Sequence, residues 1–292
     1  MSNPKPILGF IGIGLMGRPM TLRLLQHGFH VNVWNRSAEK LRPVVAAGAH
    51  AASSIAELVR ASDVVMICLA DTQAVEWSLH NGILNHGSSA KLVIDLSSID
   101  PNKTRAFAAA LHENCGMGWV DAPVSGGVAG AEQGTLAIMA GGQPEHIEIA
   151  REVLKPLYKK LTHMGPVGSG QTTKICNQMI VSCNMLVIAE MIALAKQAGV
   201  EAEKIPAALA GGFADSKPLQ IAGPEMAHEK FEPVKWRVKT LLKDLQMATE
   251  LAKQYGNALP MSGLAAQLMQ LHGSQGYLEQ DPATLIKLYR KD

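Results

Sequence analysis

The chain has 292 residues, 47% of them hydrophobic and 18% charged, which suits two packed domains and excludes a disordered chain. Lys plus Arg is 27 against 25 for Asp plus Glu, a net charge of +2, which excludes the strongly basic face of a nucleic-acid binder. The four cysteines, Cys68, Cys115, Cys176 and Cys183, form no CxxC pair and read as reduced thiols in a cytoplasmic protein rather than a disulfide framework.

The opening residues, 1–6, show no leader-type pattern, and a short buried strand is expected over 7–13. A helix over 16–26 stops at Gly28, a strand follows over 31–34, and a helical stretch over 38–47 ends at Gly48. A short helix is expected over 55–61. Residues 64–69 form a continuous apolar run, as a parallel strand covered on both faces requires. A helix from Thr72, a strand over 92–95 and a helix over 102–112 continue the alternation, which predicts a doubly wound α/β sheet. Two short strands, 119–124 and 136–140, then flank a glycine-rich loop, followed by a helix over 145–156 and a last strand over 161–164.

Beyond Gly170 the pattern is helical, with breaks expected at Gly199, Gly211-Gly212, Gly223-Pro224, Gly256, Pro260 and Gly273. The predicted organisation is a Rossmann-type domain over 1–165 and an all-α substrate and oligomerisation domain over 166–292, with the substrate expected where the two meet. Residues 175–195 are apolar and long enough to span a bilayer, yet carry Asn177, Gln178, Ser182, Asn184 and Glu190. Those polar groups favour a buried helix of a soluble protein with no membrane partner. Its surplus apolar surface predicts a homodimer or homotetramer.

Gly12-Ile13-Gly14-Leu15-Met16-Gly17 follows a strand and opens a helix, the context a dinucleotide-binding turn requires. Gly12 permits the turn, Gly14 the approach of a pyrophosphate and Gly17 close helix–strand packing. The helix N-terminus offers N–H groups and a positive dipole end to the phosphates. Asn35 stands about 20 residues further on, where NAD-selective sites place an acid against the ribose 2′-OH. With Asn35 in that place, Arg36 and Ser37 can bond a 2′-phosphate, so the expected cofactor is NADP, with NAD as the alternative.

Lys174, Asn177 and Gln178 occupy positions i, i+3 and i+4 of a helix start and so share one face. An ammonium at the wet end of an apolar helix is a candidate proton donor. Asp121-Ala122-Pro123-Val124-Ser125-Gly126-Gly127 runs a strand into a Ser-Gly-Gly loop, whose N–H groups and hydroxyl suit a small-molecule carboxylate substrate. The ten histidines show no HExxH or comparable spacing, so no metal site is expected.

These motifs, with Gly134-Thr135-Leu136 and Lys243-Asp244-Leu245, occur in an order and spacing that resembles the β-hydroxyacid dehydrogenase family. That family includes 3-hydroxyisobutyrate dehydrogenase and tartronate semialdehyde reductase. The resemblance covers nearly the whole chain. It implies that Lys174 is catalytic and that Ser125, Gly126, Gly127 and Asn177 line the substrate site; Asn177 is expected to act with Lys174, and Gln178, on the same helix face, to join the substrate site. It also implies that Leu69, Ala70, Ala74 and Ser98 lie along the cofactor, that Lys243 closes over it and that Asp244 is near its nicotinamide end. Leu69-Ala70 stands where many members have Leu-Pro, and Ala74 where many have Asn. The Asn177-Gln178 pair and residues 211–216 look more like the tartronate semialdehyde reductase branch.

The expected reaction is hydride transfer between NADP(H) and a small 3-hydroxy acid or its semialdehyde, with Lys174 as general acid and base. A 3-hydroxyisobutyrate dehydrogenase and a succinic or glyoxylic semialdehyde reductase are the alternatives. A decarboxylating sugar-acid dehydrogenase would need a longer helical domain. An imine reductase commonly lacks the lysine. A dinucleotide-binding sensor would have no use for Lys174, Asn177 and Ser125 together.

Overall fold

The computed structural model describes residues 5–289; residues 1–4, within the opening stretch where no leader is expected, lie outside the described residues. The chain divides into two compact units, Met1–Lys174 and Ile175–Asp292.

The first unit is built on strands β1 (Leu8–Ile11), β2 (Val31–Trp34), β3 (His50–Ala51), β4 (Val64–Ile67), β5 (Leu92–Asp95), β6 (Gly118–Asp121), β7 (Val124–Ser125), β8 (Leu136–Gly142) and β9 (Tyr158–Gly165). Six of them lie in the parallel order β3-β2-β1-β4-β5-β6. The sheet then turns mixed. β8 runs antiparallel to β6 and β7 along one edge and takes β9 in parallel along the other. This is the Rossmann arrangement, extended by three strands.

Strands β1, β4, β5 and β6 are buried at every residue, because alternate side chains feed two different cores. Leu8, Phe10, Met66, Ile94 and Val120 enter one; Ile11, Val65, Ile67, Val93 and Trp119 enter the other. Truncating a fully buried side chain such as Phe10 would cost about 3–5 kcal/mol.

The covering helices are α1 (Gly17–Gln26), α2 (Arg42–Ala46), α3 (Ile55–Arg60), α4 (Thr72–Ser78), α5 (Leu84–His86), α6 (Pro101–Cys115), α7 (Gly127–Gln133) and α8 (Pro144–Leu154). Two begin on aspartates that accept first-turn N–H groups: Asp71 from Ala74, and Asp100 from Asn102 and Lys103. Helix α7 corrects the expectation of a plain loop between the two short strands. Gly126 and Gly127, both at positive φ, turn the chain directly into it, and Gly134 closes it in the left-handed region.

Helix α9 (Ser169–Gln197) contains the division between the units. The second unit continues with α10 (Ile205–Leu209), α11 (Lys217–His228), α12 (Val238–Tyr255) and α13 (Pro260–His272), and no strand occurs among its described residues. Met185, Ile188, Ile192, Leu241, Leu245 and Met269 anchor its core. The expected break at Gly223-Pro224 does not occur, since both residues lie inside α11. A Cβ at residue 223 would stand 2.7 Å from Cγ of Pro206, so Gly223 serves close packing on α10 rather than chain termination. Helix α9 is long and apolar enough to cross a membrane, and half of its apolar window is buried in the protein.

Candidate active site

The turn between β1 and α1 has the steric signature of a phosphate cradle. Gly12 has φ +102°, and a Cβ there would lie 2.3 Å from the Cys68 carbonyl oxygen. A Cβ at Gly17 would lie 1.9 Å from the Gly12 oxygen, so only glycine lets α1 start this close to the strand. Gly14 is the opposite case: a Cβ there meets nothing within 4 Å, and Gly14 and Leu15 are exposed. Helix α1 begins after Met16 with no side-chain cap and no acid in its first turn. Its N–H groups and positive end therefore suit an anion, which is what the pyrophosphate of a dinucleotide would bring. Ile13 supplies the buried apolar support under this turn.

At the end of β2, Asn35 holds the turn together. Its Oδ1 accepts the Ile13 N–H at 3.0 Å, and its Nδ2 donates to the Ser37 carbonyl at 2.9 Å. Arg36 is exposed and Ser37 half-buried. The amide thus fixes the β2 end against the glycine turn and leaves the guanidinium in the open. Trp34 stacks on Trp77 of α4, with ring centroids 5.7 Å apart, a pairing that sequence reasoning did not single out.

The ends of β4, β5 and β6 carry the remaining positions of this unit. The Leu69 N–H donates to Ser97 Oγ at 2.9 Å. Ala70 is exposed and Ser98 half-buried. The Ala74 N–H is held by Asp71, so Ala74 reads as part of the α4 start. Ser125 and Gly126 are half-buried and Gly127 is exposed, with nothing within 4 Å of a Cβ at 127.

Lys174, half-buried, lies in the second turn of α9, and the residues that hold this helix start are ones sequence reasoning left out. Asp121, fully buried at the end of β6, accepts the Gly168 N–H at 2.8 Å and the Gln171 N–H at 2.9 Å. Burial pushes its carboxyl up to about 7 against those two hydrogen bonds, with Asp95 adding repulsion. Gln171, also fully buried, donates to the Ser97 carbonyl at 2.9 Å and accepts the Ile99 N–H at 3.2 Å. The sequence signal was available: Asp121 and Gln171 are polar residues inside motifs already singled out.

In the second unit, Asn177 donates to Gln178 Oε1 at 2.8 Å, and Gln178 donates to Asp244 Oδ2 at 2.7 Å. Gln178 and Asp244 are buried, 7% and 1% exposed, so a buried carboxylate orients the two amides. Lys243 Nζ stands 3.4 Å from the other Asp244 oxygen. Among the described residues no group of three potential ligands could hold a metal ion.

Residues 7–165 match the family described as the NAD binding domain of 6-phosphogluconate dehydrogenase. Residues 168–289 match the family described as NAD-binding of NADP-dependent 3-hydroxyisobutyrate dehydrogenase. The chain belongs to the β-hydroxyacid dehydrogenase family. It is 35% identical over 284 residues to 2-hydroxy-3-oxopropionate reductase of Escherichia coli K12, covering 96% of each chain. Its structure resembles Mycobacterium tuberculosis 3-hydroxyisobutyrate dehydrogenase solved with L-serine, with a TM-score of 0.89, 28% identity, and coverage of 99% of this chain and 100% of that one. The solved structure of Psf3 with NADP+ and 2-OPP has the same TM-score at 27% identity, covering 97% and 100%. The protein is an NAD(P)-dependent hydroxyacid dehydrogenase, and the open turn at Gly14 fits the dinucleotide such an enzyme requires.

Proposed function

We propose that this β-hydroxyacid dehydrogenase interconverts a small semialdehyde acid and its 3-hydroxy acid with NADP(H), and that its substrate is 2-hydroxy-3-oxopropionate (tartronate semialdehyde). The observation that carries this reading is the place of Lys174. It lies on α9, in the same compact unit as both the 12–17 turn and Ser125, Gly126 and Gly127. The likeness to the Escherichia coli reductase supports the substrate.

In this mechanism the substrate carboxylate rests on the backbone and hydroxyl of residues 125–127. Lys174, as an ammonium, hydrogen-bonds the carbonyl oxygen and donates its proton as alkoxide charge develops there. The reduced dinucleotide, when bound, supplies the hydride that makes the carbonyl carbon an alcohol carbon. Asn177, one turn beyond Lys174, holds the ammonium or the substrate in line. In the reverse direction neutral Lys174 takes the hydroxyl proton. Arg36 and Ser37 bind the 2′-phosphate, which favours NADP over NAD. The Mycobacterium tuberculosis relative favours a second substrate, 3-hydroxyisobutyrate.

Steady-state rates on tartronate, methylmalonate and succinate semialdehydes, each with NADPH and NADH, test this reading. The highest kcat/KM is expected for tartronate semialdehyde with NADPH. Turnover of none of them, or a strong NADH preference, would contradict it.

The same reading includes a cytoplasmic homodimer or homotetramer. Ile180, Val187 and Leu194 recur every seven residues on α9 and are 66%, 54% and 68% exposed, an apolar stripe suited to a second copy of the chain. Ile180→Glu with Val187→Glu should yield a smaller species by light scattering, and an unchanged mass would count against it.

A further inference from the structure

The start of α9 is anchored in a way that its own sequence does not supply. Its first turn carries no acid, and its cap comes instead from β6. The two carboxylate oxygens of Asp121 each take one N–H, from Gly168 and from Gln171. This spans the helix start as a capping residue would, but the acceptor lies 47 and 50 residues away in sequence. The carboxylate has almost no freedom. A Cβ at Gly141 would lie 2.7 Å from one of its oxygens, and a Cβ at Gly170 would lie 2.8 Å from the other.

Gln171 makes a second attachment. Its side chain takes the Ile99 N–H and gives to the Ser97 carbonyl, beyond the end of β5. Ser97 in turn takes the Leu69 N–H on its hydroxyl, beyond the end of β4, and donates its own N–H to Asp95. One turn of helix is thereby tied to the ends of three neighbouring strands. Lys174 is three residues after Gln171, on the same helical face. Ser125 is four residues after Asp121 and follows it through β7. The same network touches the backbone on either side of Ser98.

We propose that Asp121 and Gln171 are positioning residues for the reaction: they set where Lys174 stands relative to Ser125, Gly126 and Gly127 and to the strand ends beneath the cofactor. The inference rests on the reading of Lys174 as proton donor. A buried carboxylate facing only backbone donors is a costly way to cap a helix. It is suited to fixing one geometry, because both of its acceptors are used and neither partner can slide.

The test uses Asp121→Asn, Gln171→Met, Lys174→Ala and the two double variants with Lys174→Ala, all in the full-length enzyme. Asp121→Asn keeps the shape and turns one acceptor into a donor that faces an N–H. Gln171→Met keeps the length and removes both side-chain bonds. Displacing a proton donor by about 1 Å is worth up to about 100-fold in rate. Each single variant should therefore lower kcat by about 10- to 100-fold, while KM for NADPH and its Kd stay within about twofold. In the Lys174→Ala background the same changes should have little further effect, because residues that act through one group are not additive. A purely structural cap would lower the melting temperature but leave kcat of the folded enzyme and this coupling untouched. Wild-type kcat in folded Asp121→Asn or Gln171→Met beside a crippled Lys174→Ala overturns the inference alone, as do fully additive effects. Wild-type kcat in Lys174→Ala overturns the Lys174 reading and the inference with it. Should Asp121→Asn fail to fold, Gln171→Met decides the question by the same criteria.

Discussion

Replacing Gly14 by alanine adds one methyl group at a point where a Cβ meets no heavy atom within 4 Å. Gly14 does not have the positive φ that would strain an alanine, so the folded chain accepts the methyl without strain. The stability change should stay within about 0.5 kcal/mol, as for other open surface sites. The methyl projects into the space a pyrophosphate must enter to reach the N–H groups at the start of α1. Losing one hydrogen bond to a charged oxygen costs about 1.5–3 kcal/mol, which is about 10- to 100-fold in Kd. Fluorescence titration with NADPH measures that loss, and a thermal melt of the same sample measures the fold. The pair of readings carries the argument, because alanine at Gly17, 1.9 Å from the Gly12 oxygen, should damage both. An unchanged NADPH Kd in Gly14→Ala, or a fall in its melting temperature like that of Gly17→Ala, would refute the cradle.

Two further outcomes follow from the cofactor's ribose end and from the second unit. Asn35→Asp retains an acceptor for the Ile13 N–H but gives up the bond to Ser37 and sets a negative charge beside the proposed 2′-phosphate site. It should lower kcat/KM for NADPH by about 10-fold or more and leave NADH nearly unaffected; equal losses with both cofactors would count against the ribose assignment. His272 is buried, stacked on Tyr277 and hydrogen-bonded to Thr284. Burial, with the Lys287 charge, lowers its pKa from 6.5 to about 4. The unfolded chain therefore binds the proton first as pH falls. The stability that neutral His272 contributes is complete above pH 6.5 and is lost as pH falls towards 4, by about 3 kcal/mol. In urea melts the wild type should lose stability relative to His272→Gln by about that amount as pH falls from 6.5 to 4; parallel pH profiles would refute it.

The parallel half of the sheet was legible in the sequence for a specific reason. Strands buried on both faces must be apolar at successive positions; β1 and β4 are, and β5 is up to its last residue, Asp95. The 12–17 turn was legible because glycines at that spacing answer two close approaches within the fold, at Gly12 and Gly17, and leave the turn open at Gly14. Helix α7 was not: it is a seven-residue element, GVAGAEQ, whose glycines weaken any helical signal. Nor was α11 across Gly223-Pro224, where the contact that explains Gly223 is with Pro206, 17 residues earlier in the chain.

Candidate site residues could be picked out one by one in the sequence, but the bonds that hold them could not. Lys174, Ser125 and Asn35 were singled out from type and spacing alone. Asn35 also bridges Ile13 and Ser37, so a residue read only for its missing charge is part of the turn's framework. The carboxylate that holds Asn177 and Gln178 in place is Asp244, 66 residues beyond Gln178. Such partners are set by tertiary packing, which spacing along one chain does not encode.

The central claim is that Lys174 gives the proton that completes reduction. The direct measurement is kcat of Lys174→Ala with saturating NADPH and tartronate semialdehyde, read by the loss of NADPH absorbance, with NADPH Kd measured in parallel. A fall in kcat of about 10²- to 10⁴-fold, with Kd within about twofold, is the predicted result. Turnover near the wild-type rate would contradict it.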